Sequence, residues 1–214
     1  MKTNLQIWLL IMAIYFSLAA CGNAQNNNTE LDKKAEAFLE ANRNSWRDLN
    51  VPYADGKVLH DIIVKNNYKS ALEIGTSTGH SGVWIAWALS KTGGKLITIE
   101  IDEERRKEAL QNFKEAGVIG YVDSRLANAH DLVKELKGSF DFVFSDADKD
   151  WYKQYFIDVD PKLSVGGCFT AHNVSNSMYG IDEFLDYVKS RPNYETTIDN
   201  SSRSGISISY KKGK

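Results

Sequence analysis

A chain of 214 residues, 43% hydrophobic and 25% charged, has a globular composition and the length of one α/β domain able to bury its own core. Its formal net charge of -2 leaves no basic excess for a nucleic-acid backbone, and the run Arg105-Arg106-Lys107 is balanced by Glu103, Glu104 and Glu108, so nucleic acid is not an expected partner. Two cysteines, Cys21 and Cys168, provide neither a disulfide framework nor a thiolate zinc site.

At the N-terminus, Lys2 is the only charge before a largely apolar run from Ile7 to Leu18. A bilayer-spanning helix needs about 20 apolar residues, and this run is nearer a signal-peptide core. Leu18-Ala19-Ala20-Cys21 resembles a bacterial lipobox, which implies an acylated Cys21 and an exported lipoprotein anchored to a membrane of the bacterial envelope. A simple secretory signal, or an apolar start that is never cleaved and leaves the protein cytoplasmic, is the alternative. Residues 1–21 thus read as the signal, 22–29 as a small polar tether and 30–214 as one domain.

Leu31, Ala35, Phe38, Leu39 and Trp46 recur at helical spacing, predicting an amphipathic helix from Thr29 to about Asp48. Pro52 interrupts the pattern, and a second helix is expected from about Asp55 to Lys65. Strands then alternate with helices. Strands are expected over Lys69–Gly75, Lys95–Ile101, Tyr121–Leu126, Phe140–Ser145 and Gly167–Ala171. The helices between them are Ser81–Leu89, Glu103–Ala116 (capped by Asp102 and stopped by Gly117), Asp131–Leu136 and Asp150 to about Asp158. After a helix over Ile181–Lys189, the strands Tyr194–Ile198 and Ile206–Tyr210 lie too close together for a helical crossover and must form an antiparallel hairpin. The expected fold is α/β: a doubly wound, mostly parallel, seven-stranded sheet with helices on both faces.

The most informative stretch is Ala71-Leu72-Glu73-Ile74-Gly75-Thr76-Ser77-Thr78-Gly79-His80-Ser81. It reads as a buried strand, a turn with glycine at each end and a helix start. In a doubly wound sheet such a turn faces the ligand crevice. Ser77 takes the place of the middle glycine of a dinucleotide fingerprint, so a pyrophosphate is not provided for. A nucleoside carrying an amino acid fits better, with Glu73 meeting its ammonium and Glu100, at the end of the next strand, accepting ribose hydroxyls.

The segments Ala71–Ser81, Leu96–Asp102 and Phe140–Lys149 resemble the catechol and caffeoyl-CoA O-methyltransferase group, bacterial members included. The resemblance implies a class I, Rossmann-like fold that binds S-adenosylmethionine. It assigns to that cofactor Val51, Glu73, Gly75, Ser77, Gly79, Ser81, Glu100, Ile101, Ala129, His130 and Asp146. Blander readings stand beside these: Ser81 as a helix N-cap and His130 as a surface polar residue; His80, given no role, also reads as surface polar, and Trp84 and Trp87 as core packing. A homodimer through the N-terminal helix is likewise only what the family leads one to expect.

Asp146-Ala147-Asp148-Lys149 is very similar to the Asp-Ala-Asp-Lys motif of the caffeoyl-CoA branch, where the first aspartate binds a divalent metal and the lysine is the candidate base. Ala171-His172-Asn173-Val174 matches the family's Asp-Asn pair of metal ligands, with His172 in place of aspartate. Asp146, His172 and Asn173 form a softer set than magnesium prefers, better suited to manganese, iron, cobalt or zinc. The alternative is a weakened or lost metal site with His172 as a base or a neutral binding residue. Lys149 and Asp146 are the expected catalytic pair, and a metal beside Lys149 would favour its role as general base. Trp151, Tyr152, Tyr155 and Phe156 either wall an aromatic pocket or pack on the sheet, and Arg203 is either a contact for an anionic acceptor or an exposed loop charge.

The expected activity is methyl transfer from S-adenosylmethionine to a hydroxyl of a small phenolic or catechol-like acceptor, assisted by metal. Two alternatives stand beside it. One is an exported lipoprotein that keeps the fold as a non-catalytic binding module; the other, disfavoured by Ser77, is a nicotinamide oxidoreductase.

Overall fold

The structure, a computed structural model, describes residues 29–46, 49–176 and 179–213. The signal, Cys21 and the tether up to residue 28 lie outside these residues, while Thr29, expected to close the tether, is described and helical. Among those described, no helix is long and apolar enough to cross a membrane.

Helix α1 occupies residues 29–41. It ends short of Asp48, and at that end Asn42 adds its side-chain amide to its backbone N–H on the Phe38 carbonyl (2.8 and 3.1 Å). Helix α2 is Tyr53–Asn66, followed by β1 (Ser70–Ile74), α3 (His80–Thr92), β2 (Lys95–Glu100), α4 (Glu103–Glu115), β3 (Val122–Leu126), α5 (Ala129–Glu135) and β4 (Phe140–Ser145). Then come α6 (Tyr152–Val159), β5 (Leu163–His172), α7 (Tyr179–Lys189), β6 (Tyr194–Asp199) and β7 (Ile206–Lys211). Helix α6 starts two residues later than the sequence suggests, because Asp148 accepts from the Asp150 N–H and Lys149–Trp151 close a 3-10 turn first. Asp102 caps α4 as expected, accepting from the N–H groups of Glu104 and Arg105.

The seven strands lie in the order β3-β2-β1-β4-β5-β7-β6. Strands β3, β2, β1, β4 and β5 are parallel, whereas β7 runs antiparallel to both β5 and β6. The hairpin expected from the short β6–β7 link is therefore inserted with its second strand against β5.

Strand alternation sorts the core into two layers. Ala71, Phe142, Phe144 and Cys168 face α1–α4, with Leu59, Ile63, Val83 and Phe113 among their neighbours. Leu72, Ile74, Val143, Phe169 and Ala171 face the opposite layer of Val133, Tyr152, Phe156 and Phe184. Cys168 is buried and free. This parity decides where the polar residues at the strand ends point: Glu73 shares the face of Ala71, and His172 shares that of Cys168, toward α2.

Candidate active site

A cavity of ≈ 870 Å³ lies beyond the carboxyl ends of β1, β2, β4 and β5. This is the place an open α/β sheet offers a ligand, and the volume lies in the range of small-molecule sites.

One wall is the β1–α3 loop. Gly75, Ser77 and Gly79 all have left-handed backbones (φ 97, 49 and 97°), a conformation that is costly for any residue with a Cβ. At Gly75 space is also short, since a Cβ would sit 2.8 Å from the Asp146 carbonyl oxygen. The glycine thus lets β1 and β4 close on each other. At Gly79 a Cβ would approach the Phe113 ring to 3.0 Å. Ser77 pays for its left-handed turn with a charge-assisted bond, donating its N–H to Glu100 Oε2 at 2.7 Å. Glu100 Oε1 accepts from the N–H groups of Ile101 and Asp102, both at 2.9 Å. A carboxylate has about four acceptor positions, so Glu100 can take a ligand hydroxyl while still holding the loop.

The opposite wall is a chain of charged side chains. Lys149 Nζ donates to Asp146 Oδ1 at 2.5 Å. His172 Nδ1 lies 3.1 Å from Asp146 Oδ2, and its Nε2 lies 2.8 Å from Asp55 Oδ2. Ser202 donates to the same Asp55 oxygen at 2.7 Å. Burial alone would lower the pKa of His172. Its hydrogen bonds to Asp146 and Asp55, together with their charges, prevail and raise it to about 9, so the ring donates from both nitrogens at neutral pH. Tyr152, wholly buried, donates to the His172 carbonyl at 3.2 Å and holds its end of β5 in place.

Gly75, Ser77, Glu100, Ile101, Ala129, His130, Asp146, Lys149, His172 and Asn173 all line the cavity. Four residues assigned to the cofactor by resemblance lie outside its wall. Glu73 is fully buried behind the loop, as its strand parity requires. Thr98 Oγ1 donates to its Oε2 at 2.5 Å, while Oε1 has no partner. Burial pushes its pKa up to about 8 against the opposing bonds from Ser81 and Thr98. A neutral, enclosed acid is not placed to meet an ammonium. Ser81 is the second residue of α3 rather than its cap, and its hydroxyl serves Glu73. Gly79 takes the cap position and packs on Phe113. Val51 is a core residue whose carbonyl accepts from His80 Nδ1 at 2.8 Å.

His80 itself is not a surface residue. It is 1% exposed, stacks on Trp46 and accepts from Trp84 Nε1, and burial lowers its pKa to about 4. His130, half-buried, stacks on Trp151 with ring centroids 3.6 Å apart. Tyr155 lines the cavity, whereas Tyr152 and Phe156 pack in the core. Arg203 is exposed, whereas its neighbours Ser202 and Ser204 turn inward, the first onto Asp55 and the second to the cavity wall.

The sequence reading missed Asp55. The signal was present: Asp55, Gly56, Leu59, Ile62 and Ile63 form the buried stripe of α2, and a carboxylate on an apolar stripe calls for a partner.

The expected metal set does not fit this arrangement. Both nitrogens of His172 are engaged by carboxylates, and Asp146 has one oxygen on that ring and the other on the Lys149 ammonium. Metal ligation requires a free imidazole lone pair. Among the described residues, no group of three or more His, Cys, Asp or Glu is arranged to hold an ion. The Asp55 Oδ1 atom has no partner, but one acceptor is not a chelate.

A family model described as O-methyltransferase matches residues 26–179. The chain belongs to the O-methyltransferase family. It is similar to the catechol O-methyltransferase of Niastella koreensis, with 39% identity over 112 residues covering 50% of each chain. It is also similar to caffeoyl-CoA O-methyltransferase 1 of Eucalyptus globulus, with 32% identity over 130 residues, 58% of this chain and 52% of that one. The matched stretch thus spans about half the length of these curated relatives. Among solved structures, an O-methyltransferase from Bacillus cereus in complex with SAH superposes with a TM-score of 0.71 at 25% identity, covering 86% of this chain and 91% of that one. The O-methyltransferase TomG of Streptomyces achromogenes, in complex with SAM, gives 0.68 at 27% identity, covering 86% and 89%. The seven-stranded sheet with its inserted antiparallel hairpin is thus the O-methyltransferase fold, here closed over a cavity with two unlike walls.

Proposed function

We propose that this protein transfers a methyl group from S-adenosylmethionine to a hydroxyl of a small phenolic, catechol-like acceptor. The observation that carries this reading is one cavity with the left-handed loop and Glu100 on one wall and the Lys149–Asp146–His172 chain on the other. Gly75, Ser77, Glu100, Ile101, Ala129 and His130 would hold the donor. Bound there, it supplies a methyl group on a sulfonium that is already electrophilic.

The chain's own residues have two tasks. They orient the acceptor oxygen in line with the methyl group, and they remove its proton. Lys149 Nζ, once its own proton has passed to solvent, takes the hydroxyl proton, and Asp146 Oδ1 holds the ammonium that results. His172 keeps Asp146 in register for that task. Tyr155 and Pro52 supply apolar surface for an aromatic acceptor. Calorimetry with S-adenosylmethionine and its demethylated product, followed by rates on a panel of catechols, tests the reading. Binding without transfer to any acceptor would favour the non-catalytic binding module; no heat with either nucleoside would end the methyl-transfer reading.

The lipobox-like Leu18–Cys21 segment supports export and membrane anchoring. Mass spectrometry of the membrane fraction should find an acylated Cys21 at the new N-terminus.

A further inference from the structure

Asp55 brings a carboxylate into the core at 1% exposure, a position that costs several kcal/mol unless the charge is met. It is met by His172 Nε2 at 2.8 Å and Ser202 Oγ at 2.7 Å. The partners come from the end of β5 and the β6–β7 loop, 117 and 147 residues away in sequence. The other side of the same ring faces Asp146 at 3.1 Å, whose second oxygen faces Lys149. The ring is thus pinned at both nitrogens and cannot turn a lone pair to the cavity. A divalent ion at Asp146 would have to displace the ring on one side and an ammonium on the other.

We propose that the Asp55–His172–Asp146 clamp takes the place of a divalent cation in this protein, so that methyl transfer proceeds without metal. In this arrangement Asp55 is a positioning residue. It fixes the ring, the ring fixes the Asp146 carboxylate, and the carboxylate orients Lys149 toward the acceptor hydroxyl. The kinetic half of this inference rests on the methyl-transfer reading above; the metal half does not.

The test uses the full-length protein and manganese(II) alone, followed by electron paramagnetic resonance. Excess wild-type protein should leave the free-ion spectrum unchanged. His172→Asp, which removes the ring and brings three carboxylates together, should deplete that spectrum. Loss of the free-ion signal with wild type overturns the proposal, whether or not a methyl acceptor has been found, and that readout still decides if His172→Asp does not fold.

In the kinetic arm, wild type dialysed against EDTA should keep its full turnover. Asp55→Ala should lower kcat about 100-fold, the scale of a misplaced reacting group, while acceptor KM and S-adenosylmethionine affinity stay within about twofold. Asp55→Asn, which keeps the shape and one acceptor, should recover most of that loss. Turnover that vanishes with EDTA and returns with metal overturns the proposal. So does an Asp55→Ala protein with lowered melting temperature and unchanged kcat, the mark of a merely structural residue.

Discussion

The two walls of the cavity, one given to the cofactor and the other to the acceptor in the proposed function, are built in different ways. The cofactor wall comes from short segments that directly follow strands β1, β2 and β3, and it is held by backbone N–H groups: Ser77, Ile101 and Asp102 all donate to Glu100. The acceptor wall comes from α2, the ends of β4 and β5, the turn before α6 and the β6–β7 loop, and it is held by side chains: Asp55, Ser202, His172, Asp146 and Lys149. Backbone conformation shapes the first wall and charge pairing shapes the second. A substitution should therefore disturb binding on one side and chemistry on the other.

The largest expected effect is on the acceptor wall. Lys149→Ala should lower turnover by about 10²- to 10⁴-fold, the usual worth of a general base, with S-adenosylmethionine affinity by calorimetry nearly unchanged. A large loss of affinity would break the division between the walls. Behind the cofactor wall, the buried acid Glu73 and the buried His80 give stability opposite pH dependences. Glu73 holds its proton up to about pH 8, against an ordinary value of 4.5. Its contribution therefore favours the fold fully below about 4.5 and is lost as pH rises through 8, on the order of 3 kcal/mol by pH 7. His80, depressed from 6.5 to about 4, favours the fold above 6.5 and loses that contribution as pH falls through 4. Glu73→Gln should therefore flatten the fall in denaturant stability between pH 4.5 and 8 and leave the acid limb intact.

Smaller effects sharpen the comparison. Glu100→Ala should weaken S-adenosylmethionine binding by about 10- to 100-fold, since hydrogen bonds to a charged group are worth about 1.5–3 kcal/mol. The acceptor KM at saturating donor should stay close to wild type. Gly75→Ala, strained at φ 97° and with its Cβ against Asp146, should cost about 1–3 kcal/mol in thermal unfolding. Asp102→Ala, which removes the α4 cap beside the same wall, should cost about 1 kcal/mol and serves as the baseline for a purely local change.

The cofactor wall was legible in the chain because its geometry is local. Glycines at 75 and 79, an acid ending the next strand and the Asp102 cap of the helix that follows it are patterns that a few consecutive residues impose. Even there, direction was decided elsewhere. Glu73 was expected to face the ligand, yet alternation along β1 turns it under α3. His80 and Ser81 were given surface or capping parts and instead lie buried, because two consecutive helical residues point into different neighbours: Val51 and Trp84 for one, Glu73 for the other. The acceptor wall was legible only in part. Asp146 and Lys149 belong to one turn and were named together, whereas Asp55 and Ser202 lie far from them in sequence.

What the chain determined by itself is the alternation of strands and helices, the closing hairpin, the loop that needs left-handed residues and membership of the O-methyltransferase family. Each follows from periodicity, turn chemistry or a short motif, which act over a few residues. Only the tertiary structure decided that His172 lies between Asp55 and Asp146, and that Glu73 is enclosed and neutral. Those outcomes depend on which face of the sheet each strand end presents and on which helix packs there, and such long-range pairings set both the partners of a buried charge and its protonation.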